Sequence, residues 1–457
     1  MKTSIHIENK LISKPSRLGF KYHIKTFGCQ MNEHDSEKIA GIFNSDGMSK
    51  SEDIDQADIL FVNTCTIREN ADDKLYGTLG HLKKWKDQSS DRRLIVGGCA
   101  AQKDKELVRD RAPWVDVVIG THNTNDVINL LNQSEDWGPI TKIVEETLDI
   151  ETEILPVRES GFSAFVTIQI GCNNSCTFCI VPSVRGVEIS RRPSDIINEI
   201  KNLSNEGVKE ITLLGQNVNS YGRDLMIDNK RSPYFTQLLY KIHEIDGIER
   251  IRFTSPHPKD FKEETLIAVS ELPKIANQIH IPLQSGSNKI LSSMHRGYNQ
   301  KKYLSKIDMI KNIIPDVSLS SDVIVGFPGE DDADFDETMK VVDYAEFDLI
   351  YMFKFSARPG TVAADYSDKF VEKHLIDSRF MRLKEEQIKI SHNRYKRFVG
   401  STQQMLVEKP SKKDPNVLTG RIEGGHIVHL ESTQNIIGQL IDVKVYDATP
   451  FFLKATL

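Results

Sequence analysis

The sequence lacks several features that would assign it to a specialised class of protein. No apolar run approaches the roughly 20 residues that cross a bilayer. The segment from Met1 to Phe20 has no apolar stretch of the secretory type. Both absences predict a cytoplasmic protein with no membrane partner. The net charge of -6 argues against a strongly basic, histone-like binder, but it is compatible with a local basic patch that contacts phosphates.

Cysteine is also scarce. Six cysteines in 457 residues are too few for a disulfide scaffold, and disulfides are rare in the cytoplasm. Their placement is informative, because they form two groups of three and none lies outside these groups. The first group is widely spaced and consists of Cys29, Cys65 and Cys99. The second group is packed together and consists of Cys172, Cys176 and Cys179.

The dispersed cysteines belong to a segment, 20–135, in which β-rich runs alternate with helical patterns. This alternation predicts a parallel sheet, with strands at 22–26, 59–62, 94–96 and 115–119. Cys29, Cys65 and Cys99 each follow one of the first three strands. Sites in open α/β sheets form at the carboxyl ends of strands, so we expect these cysteines to converge. The alternative is three unrelated buried cysteines, which are common in cores.

A second domain, 158–392, follows an acidic segment from Glu135 to Glu159 that we interpret as a linker. Helical patterns such as Arg192–Leu203 and Asp334–Tyr344 separate six strand-like runs. These runs are 165–170, 210–214, 250–254, 278–283, 319–325 and 349–355. Six βα units predict a partial (β/α)6 barrel with its active site at the carboxyl ends of the strands.

The last domain, 395–457, changes character to short β-like runs at 404–407, 426–430, 440–445 and 451–454. Gly420, Gly424, Gly425 and Gly438 break these runs, which predicts a small antiparallel barrel. The preceding stretch from Arg379 to Lys413 holds ten Lys or Arg residues against three Glu. An apolar helical stripe runs through it, so the charges could be only a solvated helix face. The adjoining barrel favours the other interpretation, contact with phosphates. The predicted fold class is therefore a multidomain α/β protein.

The clustered cysteines have the spacing Cys172-x3-Cys176-x2-Cys179. Iron–sulfur clusters are held by thiolates, and a four-iron cluster ordinarily takes four of them. Three cysteines leave one iron without a protein ligand, and an open position of this kind can hold a substrate. A structural zinc site is the alternative, but it needs four closed ligands, and the nearest downstream histidine, His243, is too distant for a finger.

This motif, placed just after the first barrel strand, resembles the signature of the radical S-adenosylmethionine (SAM) superfamily. Other runs resemble the methylthiotransferase family within it. The N-terminal runs are Thr26–Asn32, Asn63–Cys65 and Val96–Cys99, and the core runs are Leu214–Gly222, Ile281–Ser287, Asp322–Gly329 and Ser356–Thr361. The runs Leu418–Arg421 and Ile436–Gly438 resemble the TRAM domain, an RNA-binding barrel. The runs Cys65–Ala71 and Lys74–Gly77 resemble the members that act on isopentenyladenosine in tRNA.

The resemblance implies two 4Fe–4S clusters and SAM as cofactors. The cluster on Cys172, Cys176 and Cys179 would generate a radical from SAM, and the cluster on Cys29, Cys65 and Cys99 would carry sulfur, so that all six cysteines are metal ligands with catalytic roles. The residues expected to contact SAM or its cluster are Phe178, Gly215, Gln216, Asn217, Gln284, Ser285 and Asp322. For each of them the alternative is a turn residue or a satisfied core group.

The implied partners follow from the same resemblance. They are the anticodon stem-loop of a tRNA that carries isopentenyladenosine, an electron donor such as a flavodoxin or ferredoxin, and a sulfur or cluster donor. The chain itself is expected to be a monomer. Three alternatives remain: an enzyme for threonylcarbamoyl-adenosine in tRNA, one that modifies a ribosomal protein, and a non-catalytic iron–sulfur RNA-binding protein.

Overall fold

The structure is a computed structural model that describes residues 16–66, 71–145, 156–158, 160–227, 229 and 231–457, with the backbone alone at 71 and 72. The chain divides into two compact units. The first ends at Glu145 and also includes 156–157, and the second extends from Arg158 to Leu457. The run 67–70, most of 1–20 and much of the proposed linker lie outside the described residues. Within the described part, no helix has both the length and the apolar content that crossing a membrane requires.

The first unit is built around a parallel sheet with strand order β2-β1-β3-β4-β5-β6, as the sequence predicts. Its strands are β1 Lys21–Thr26, β2 Ser49–Lys50, β3 Ile59–Thr64, β4 Arg93–Gly98, β5 Val117–Ile119 and β6 Ile140–Lys142. Its helices are α1 Gln30–Ser45, α2 Ala71–Lys86, α3 Cys99–Asp104, α4 Leu107–Arg111 and α5 Val127–Trp137. Strand β3 is buried along its whole length, because helices cover both faces of a parallel sheet.

The interpretation of Glu135–Glu159 as a linker is wrong at its start. Helix α5 continues to Trp137, and β6 is a sixth strand that pairs Ile140 with Val117. Strand β6 lies at the edge of the sheet and is only half-buried. It therefore lacks the apolar pattern by which the inner strands are recognised.

The central part of the second unit holds the six predicted parallel strands, arranged as two three-stranded sheets with orders β11-β10-β7 and β12-β13-β14. The strands are β7 Ser163–Thr167, β8 Gln169–Ile170, β9 Ile189–Ser190, β10 Glu210–Leu214, β11 Arg250–Phe253, β12 Gln278–His280, β13 Ser318–Val325 and β14 Leu349–Lys354. The helices are α6 Val181–Arg185, α7 Pro193–Asn205, α8 Phe235–His243, α9 Glu263–Glu271, α10 Asn288–Ser293, α11 Gln300–Ile313, α12 Asp332–Ala345 and α13 Lys373–Lys396.

One predicted strand is divided in two. The run 165–170 is split after Thr167, and β8 pairs antiparallel with β9 instead of continuing in the barrel. The chain thereby turns away from the barrel wall just before Cys172. The partial (β/α)6 barrel is otherwise confirmed, with a single core formed by its inner strands and the surrounding helices.

The C-terminal domain is a closed barrel with order β15-β16-β17-β19-β18. Its strands are β15 Thr402–Pro410, β16 Val417–Ile422, β17 Ile427–Glu431, β18 Leu440–Ala448 and β19 Leu453–Thr456. All pairs are antiparallel except β17 with β19. The sequence predicts that Gly420 breaks a strand, but the structure places Gly420 inside β16. A Cβ there would approach Leu406 O to 1.9 Å, so the close approach of the paired strands β15 and β16 requires glycine.

The C-terminal barrel packs against the amino ends of the central strands. Arg252 of β11 donates to Ile422 O at 2.9 Å and to Glu423 O at 2.8 Å. Arg250, which is 2% exposed, donates to Gln404 O at 3.1 Å. Because the Cys172–Cys179 loop follows the carboxyl end of the same sheet, the cysteine loop and the C-terminal barrel lie at opposite ends of the central strands.

Candidate active site

Each dispersed cysteine lies at the carboxyl end of its own strand. Strands β1, β3 and β4 are neighbours in the sheet. Strand β1 ends three residues before Cys29, and strands β3 and β4 end immediately before Cys65 and Cys99. The loop after β1 packs against Cys65. Gly28 has φ +128°, and a Cβ there would lie 3.0 Å from Cys65 Cβ. The structure therefore brings the first two cysteine loops together, and both Cys65 and Cys99 are buried.

Two asparagines that the sequence does not single out join these loops. Asn32 Nδ2 donates to Thr64 O at 3.0 Å, and Asn32 Oδ1 lies 3.5 Å from Cys29 Sγ. Asn63 Nδ2 donates to Asn32 O at 2.8 Å. Cys29 is also the N-cap of α1. These contacts hold the cysteine loops in a fixed relation that suits a thiolate-bound cluster.

The clustered cysteines lie in a loop that is anchored on both sides. Thr177 N donates to Met294 O at 3.2 Å, and Thr177 Oγ1 donates to Ser293 O at 2.9 Å. Ala363 N donates to Thr177 O at 2.9 Å. The backbone between Cys176 and Cys179 is therefore tied to the end of α10 and to the segment that follows β14.

The sulfurs of this loop have polar partners. Asn174 Nδ2 donates to Cys172 Sγ at 3.4 Å, and Arg296 Nη1 donates to Cys176 Sγ at 3.2 Å. Burial raises the pKa of the Cys172 thiol and raises the pKa of Cys179 to about 12. Iron must displace these protons to bind, because thiolates are the ligating form. Three thiol donors with a neighbouring cation fit an iron–sulfur cluster.

The zinc alternative is disfavoured by geometry. Across the residues that the structure describes, no three Cys, His, Asp or Glu side chains meet closely enough to bind a single metal ion. Structural zinc needs four ligands around one ion. A four-iron cluster has a different requirement, because each of its thiolates binds a different iron atom.

Unpaired polar atoms mark the carboxyl end of the central sheet. In the described part of the chain, the buried atoms Gln169 Oε1, Gln216 Oε1, Asn217 Oδ1 and His257 Nε2 have no hydrogen-bond partner. Gln169 begins β8, Gln216 and Asn217 follow β10, and His257 follows β11. Because buried polar groups are nearly always paired, their free atoms indicate a polar ligand such as SAM. Of the expected SAM contacts, Gln216 and Asn217 belong to this group, and Gly215 precedes them.

The other expected SAM contacts have different surroundings. Gln284 has φ +66°, a strained conformation that is enriched at functional sites. Asp322 Oδ2 lies 3.4 Å from His280 Nε2. Phe178 packs edge-on against Phe327, with ring centroids 6.5 Å apart.

Ser285 is the exception among these residues. It is fully buried, its hydroxyl lies 3.3 Å from Thr338 Oγ1, and the same hydroxyl accepts from Ser287 N. These contacts favour the core alternative for Ser285.

Much of the basic stretch Arg379–Lys413 forms ion pairs within the protein. Arg379 binds Glu330 at 3.0 Å, Arg382 binds Asp336 at 2.7 Å, and Arg394 and Arg397 both bind Asp348. These ion pairs favour the alternative of a helix face for these arginines, and their contact with RNA stays a prediction. Lys409, Lys412 and Lys413 are exposed at the end of β15 and in the loop that follows it.

Three family models match consecutive segments of the chain. The model described as Uncharacterized protein family UPF0004 matches residues 21–120, the Radical SAM superfamily model matches 166–342, and the TRAM domain model matches 396–457. The dispersed cysteines lie in the first segment and the clustered cysteines in the second.

Curated relatives match nearly the whole chain. The tRNA-2-methylthio-N(6)-dimethylallyladenosine synthase of Corynebacterium urealyticum is 43% identical over 95% of this chain and 82% of its own length. The protein of the same name from Clostridium botulinum is 44% identical over 95% of this chain and 96% of its own length. This chain belongs to the radical SAM methylthiotransferase family. As a radical SAM methylthiotransferase it uses two 4Fe–4S clusters and SAM.

Solved structures support the fold of this methylthiotransferase. The radical SAM methyltransferase TsrM from Kitasatospora setae, bound to cobalamin and a 4Fe–4S cluster, matches with a TM-score of 0.54 at 11% identity over 75% of this chain and 73% of its own. The cobalamin-dependent radical SAM enzyme OxsB matches with a TM-score of 0.52 at 15% identity, over 80% of this chain and 57% of its own. At these identities the likeness is one of fold alone.

Proposed function

We propose that this chain attaches a methylthio group to carbon 2 of N6-isopentenyladenosine, next to the anticodon of tRNA. SAM serves both as methyl donor and as source of a 5′-deoxyadenosyl radical. The identity of 43–44% to synthases of this name, over 95% of the chain, is the observation that carries the proposal.

The reaction explains why the chain needs two cysteine triplets. Carbon 2 of adenine bears an unactivated hydrogen, and a positioned acid or base contributes only about 10²–10⁴-fold. Radical chemistry belongs to a cofactor, for which the protein supplies binding and orientation. Cys172, Cys176 and Cys179 would hold the cluster whose electron cleaves SAM, and Cys29, Cys65 and Cys99 would hold the cluster that provides sulfur.

The residues around the clustered cysteines then have binding roles. Gln216 and Asn217 place unpaired amide oxygens where the amino group of SAM can donate to them. Gln284 and Asp322 offer further polar groups on the second three-stranded sheet. Phe178 lies within the cysteine loop and packs against Phe327. Ser285 supports Gln284 from the core.

The tRNA contacts are assigned to the C-terminal barrel. Lys409, Lys412 and Lys413 are exposed, and the nearby rings of His429 and Phe452 lie 4.5 Å apart. Lysines contact phosphates, and aromatic rings stack on the splayed bases of single-stranded RNA. An external one-electron donor of the flavodoxin or ferredoxin kind and a sulfur donor complete the system, in which the chain acts as a monomer.

Mass spectrometry of tRNA nucleosides tests this function. The chain is expressed in a host that makes isopentenyladenosine but lacks its methylthio derivative, with Cys172→Ala as the inactive control. We expect 2-methylthio-N6-isopentenyladenosine with the wild-type chain alone. A methylthio group found instead on threonylcarbamoyl-adenosine or on a ribosomal protein, or no methylthio product at all, would contradict the proposal.

A further inference from the structure

Arg296 is a buried cation that contacts one of the clustered cysteines. It is 6% exposed, Nη1 donates to Cys176 Sγ at 3.2 Å, and Nε donates to Tyr298 Oη at 3.1 Å. Tyr298 Oη lies 2.9 Å from Pro282 O, to which it donates. These contacts hold the guanidinium in one position beside the sulfur.

The backbone around Arg296 is constrained to present it there. Arg296 N donates to Leu291 O at 3.1 Å, just beyond the end of α10. The preceding residue, His295, has φ +55°, which is uncommon for a residue other than glycine. The same turn accepts the hydrogen bonds of Thr177, so the cysteine loop and the Arg296 turn are tied together.

Arg296 lacks a carboxylate partner. Among the described residues, no Asp or Glu forms an ion pair with it, whereas Arg250 and Arg379, which are also buried, bind Glu210 and Glu330. Burying a cation without an anion is costly. In the chain as described, the Arg296 guanidinium donates to the sulfur of Cys176 and to the phenol of Tyr298. The phenol donates its own O–H to Pro282 O, so the sulfur is the group placed to supply negative charge.

We propose that Arg296 is the fixed counter-charge of the cluster held by Cys172, Cys176 and Cys179, and that it raises the reduction potential of this cluster. The inference rests on the proposed function for the presence of the cluster. Ligating cysteines are deprotonated, so the cluster with its ligands is anionic. It becomes more negative when it accepts an electron from a low-potential one-electron donor.

A fixed cation at a ligand sulfur stabilises this added charge. Hydrogen bonds to the sulfurs are among the factors that set cluster potentials, and hydrogen bonds from charged donors are roughly twice as strong as neutral ones. Asn174 also donates to a ligand sulfur, that of Cys172, but as a neutral amide. Arg296 is thus a positioning residue that acts on the ease of reduction.

The test is a redox titration of the reconstituted full chain, followed by electron paramagnetic resonance without tRNA and without SAM. Addition of SAM afterwards identifies which cluster signal belongs to Cys172, Cys176 and Cys179. The variants are Arg296→Gln and Arg296→Lys, and the control is Arg382→Gln, whose arginine is exposed on α13.

We expect Arg296→Gln to keep its iron. At the potential where half of the wild-type cluster is reduced, its ratio of reduced to oxidised cluster should fall at least tenfold. Arg296→Lys should keep most of the wild-type ratio of reduced to oxidised cluster, and the control Arg382→Gln should have the wild-type ratio. An unchanged ratio in Arg296→Gln overturns the proposal. Weaker SAM binding at an unchanged ratio also overturns it, because Arg296 would then bind the SAM carboxylate instead.

Thermal unfolding of the cluster-free protein keeps the proposal testable if Arg296→Gln loses iron. Without the cluster, Arg296 is a buried charge with no anion. Cluster-free Arg296→Met should therefore unfold at the same temperature as the cluster-free wild type or at a higher one. A lower unfolding temperature overturns the proposal. Neither experiment uses tRNA, so both results remain valid if the chain fails to methylthiolate tRNA. A wild-type chain without a SAM-responsive cluster would reject both the role of Arg296 and the proposed function.

Discussion

Asp348 Oδ1 lies 3.2 Å from His426 Nε2, and this pair joins the central barrel to the C-terminal barrel. Asp348 comes just before β14, and His426 comes just before β17. Arg394 and Arg397, from the end of α13, bind the same buried carboxylate. The C-terminal barrel is therefore fastened to the strands of the central barrel by a buried ionic cluster. Removal of the C-terminal barrel would take His426 away from this buried carboxylate.

Asp348→Asn should destabilise the second unit by about 3–5 kcal/mol near neutral pH, because it leaves two arginines without their anion. Burial by itself raises the pKa of Asp348, but the hydrogen bond with His426 and the charges of Arg397 and Arg394 outweigh it and hold the pKa well below its usual value. The stabilisation is therefore present above about pH 4, the unfolded pKa, and is lost as the pH falls towards the folded pKa.

Urea denaturation at pH 7, pH 5 and pH 3.5 measures this effect. The difference in the free energy of unfolding between wild type and Asp348→Asn should be similar at pH 7 and pH 5 and smaller at pH 3.5. The control is Asp336→Asn, whose carboxylate pairs with Arg382 on the exposed surface and should cost no more than about 1 kcal/mol. A difference that grows as the pH falls would show that the carboxylate is protonated in the folded protein.

Replacing Cys172, Cys176 and Cys179 together by Ala should remove one of the two clusters. Anaerobically reconstituted wild-type protein should hold about eight irons, and the triple variant about four. The variant should form no 5′-deoxyadenosine, because nothing remains to bind and reduce SAM. Iron analysis and chromatography of the SAM products measure both quantities. Iron content equal to that of the wild type would reject this ligand assignment.

Replacing Cys29, Cys65 and Cys99 by Ala should separate SAM cleavage from sulfur transfer. The Cys172 loop keeps its anchors at Ser293, Met294 and Ala363, all within the second unit. The variant should still form 5′-deoxyadenosine but make no methylthio product from isopentenylated tRNA. Circular dichroism and the remaining iron serve as folding controls, since a lost cluster can unfold the domain that binds it. Product formation at the wild-type rate would make this triplet purely structural.

Charge reversal at Lys409, Lys412 and Lys413 should weaken tRNA binding without changing SAM cleavage in the absence of tRNA. Each lost phosphate contact should lower the slope of log affinity against log salt by about 1. The matched control is the reversal of Lys384, which is exposed on α13. Filter binding at several salt concentrations measures the slopes. Identical slopes for wild type and the triple variant would place the RNA elsewhere.

The sequence alone predicted the features that depend on short-range pattern. Alternating apolar runs gave the parallel sheet and the six barrel strands, because inner strands buried on both faces must be apolar. The position of Cys29, Cys65 and Cys99 after strands was also readable, since it needs only the strand ends. The sequence did not predict strand β6, because an edge strand carries no such pattern. It also did not predict that Gly420 lies within a strand, because a glycine at a close approach of two paired strands carries none either.

The contacts that give these residues their surroundings were decided by the tertiary structure. Arg296 reaches Cys176 across 120 positions, Arg252 reaches Ile422 across 170, and Arg394 and Arg397 both bind Asp348. A charged residue has the same local pattern whether it faces solvent, a carboxylate or a sulfur. Which of these groups it contacts depends on how distant segments pack when the barrel closes. The same packing buries the charge, and burial makes its interaction with the partner stronger than it would be in water.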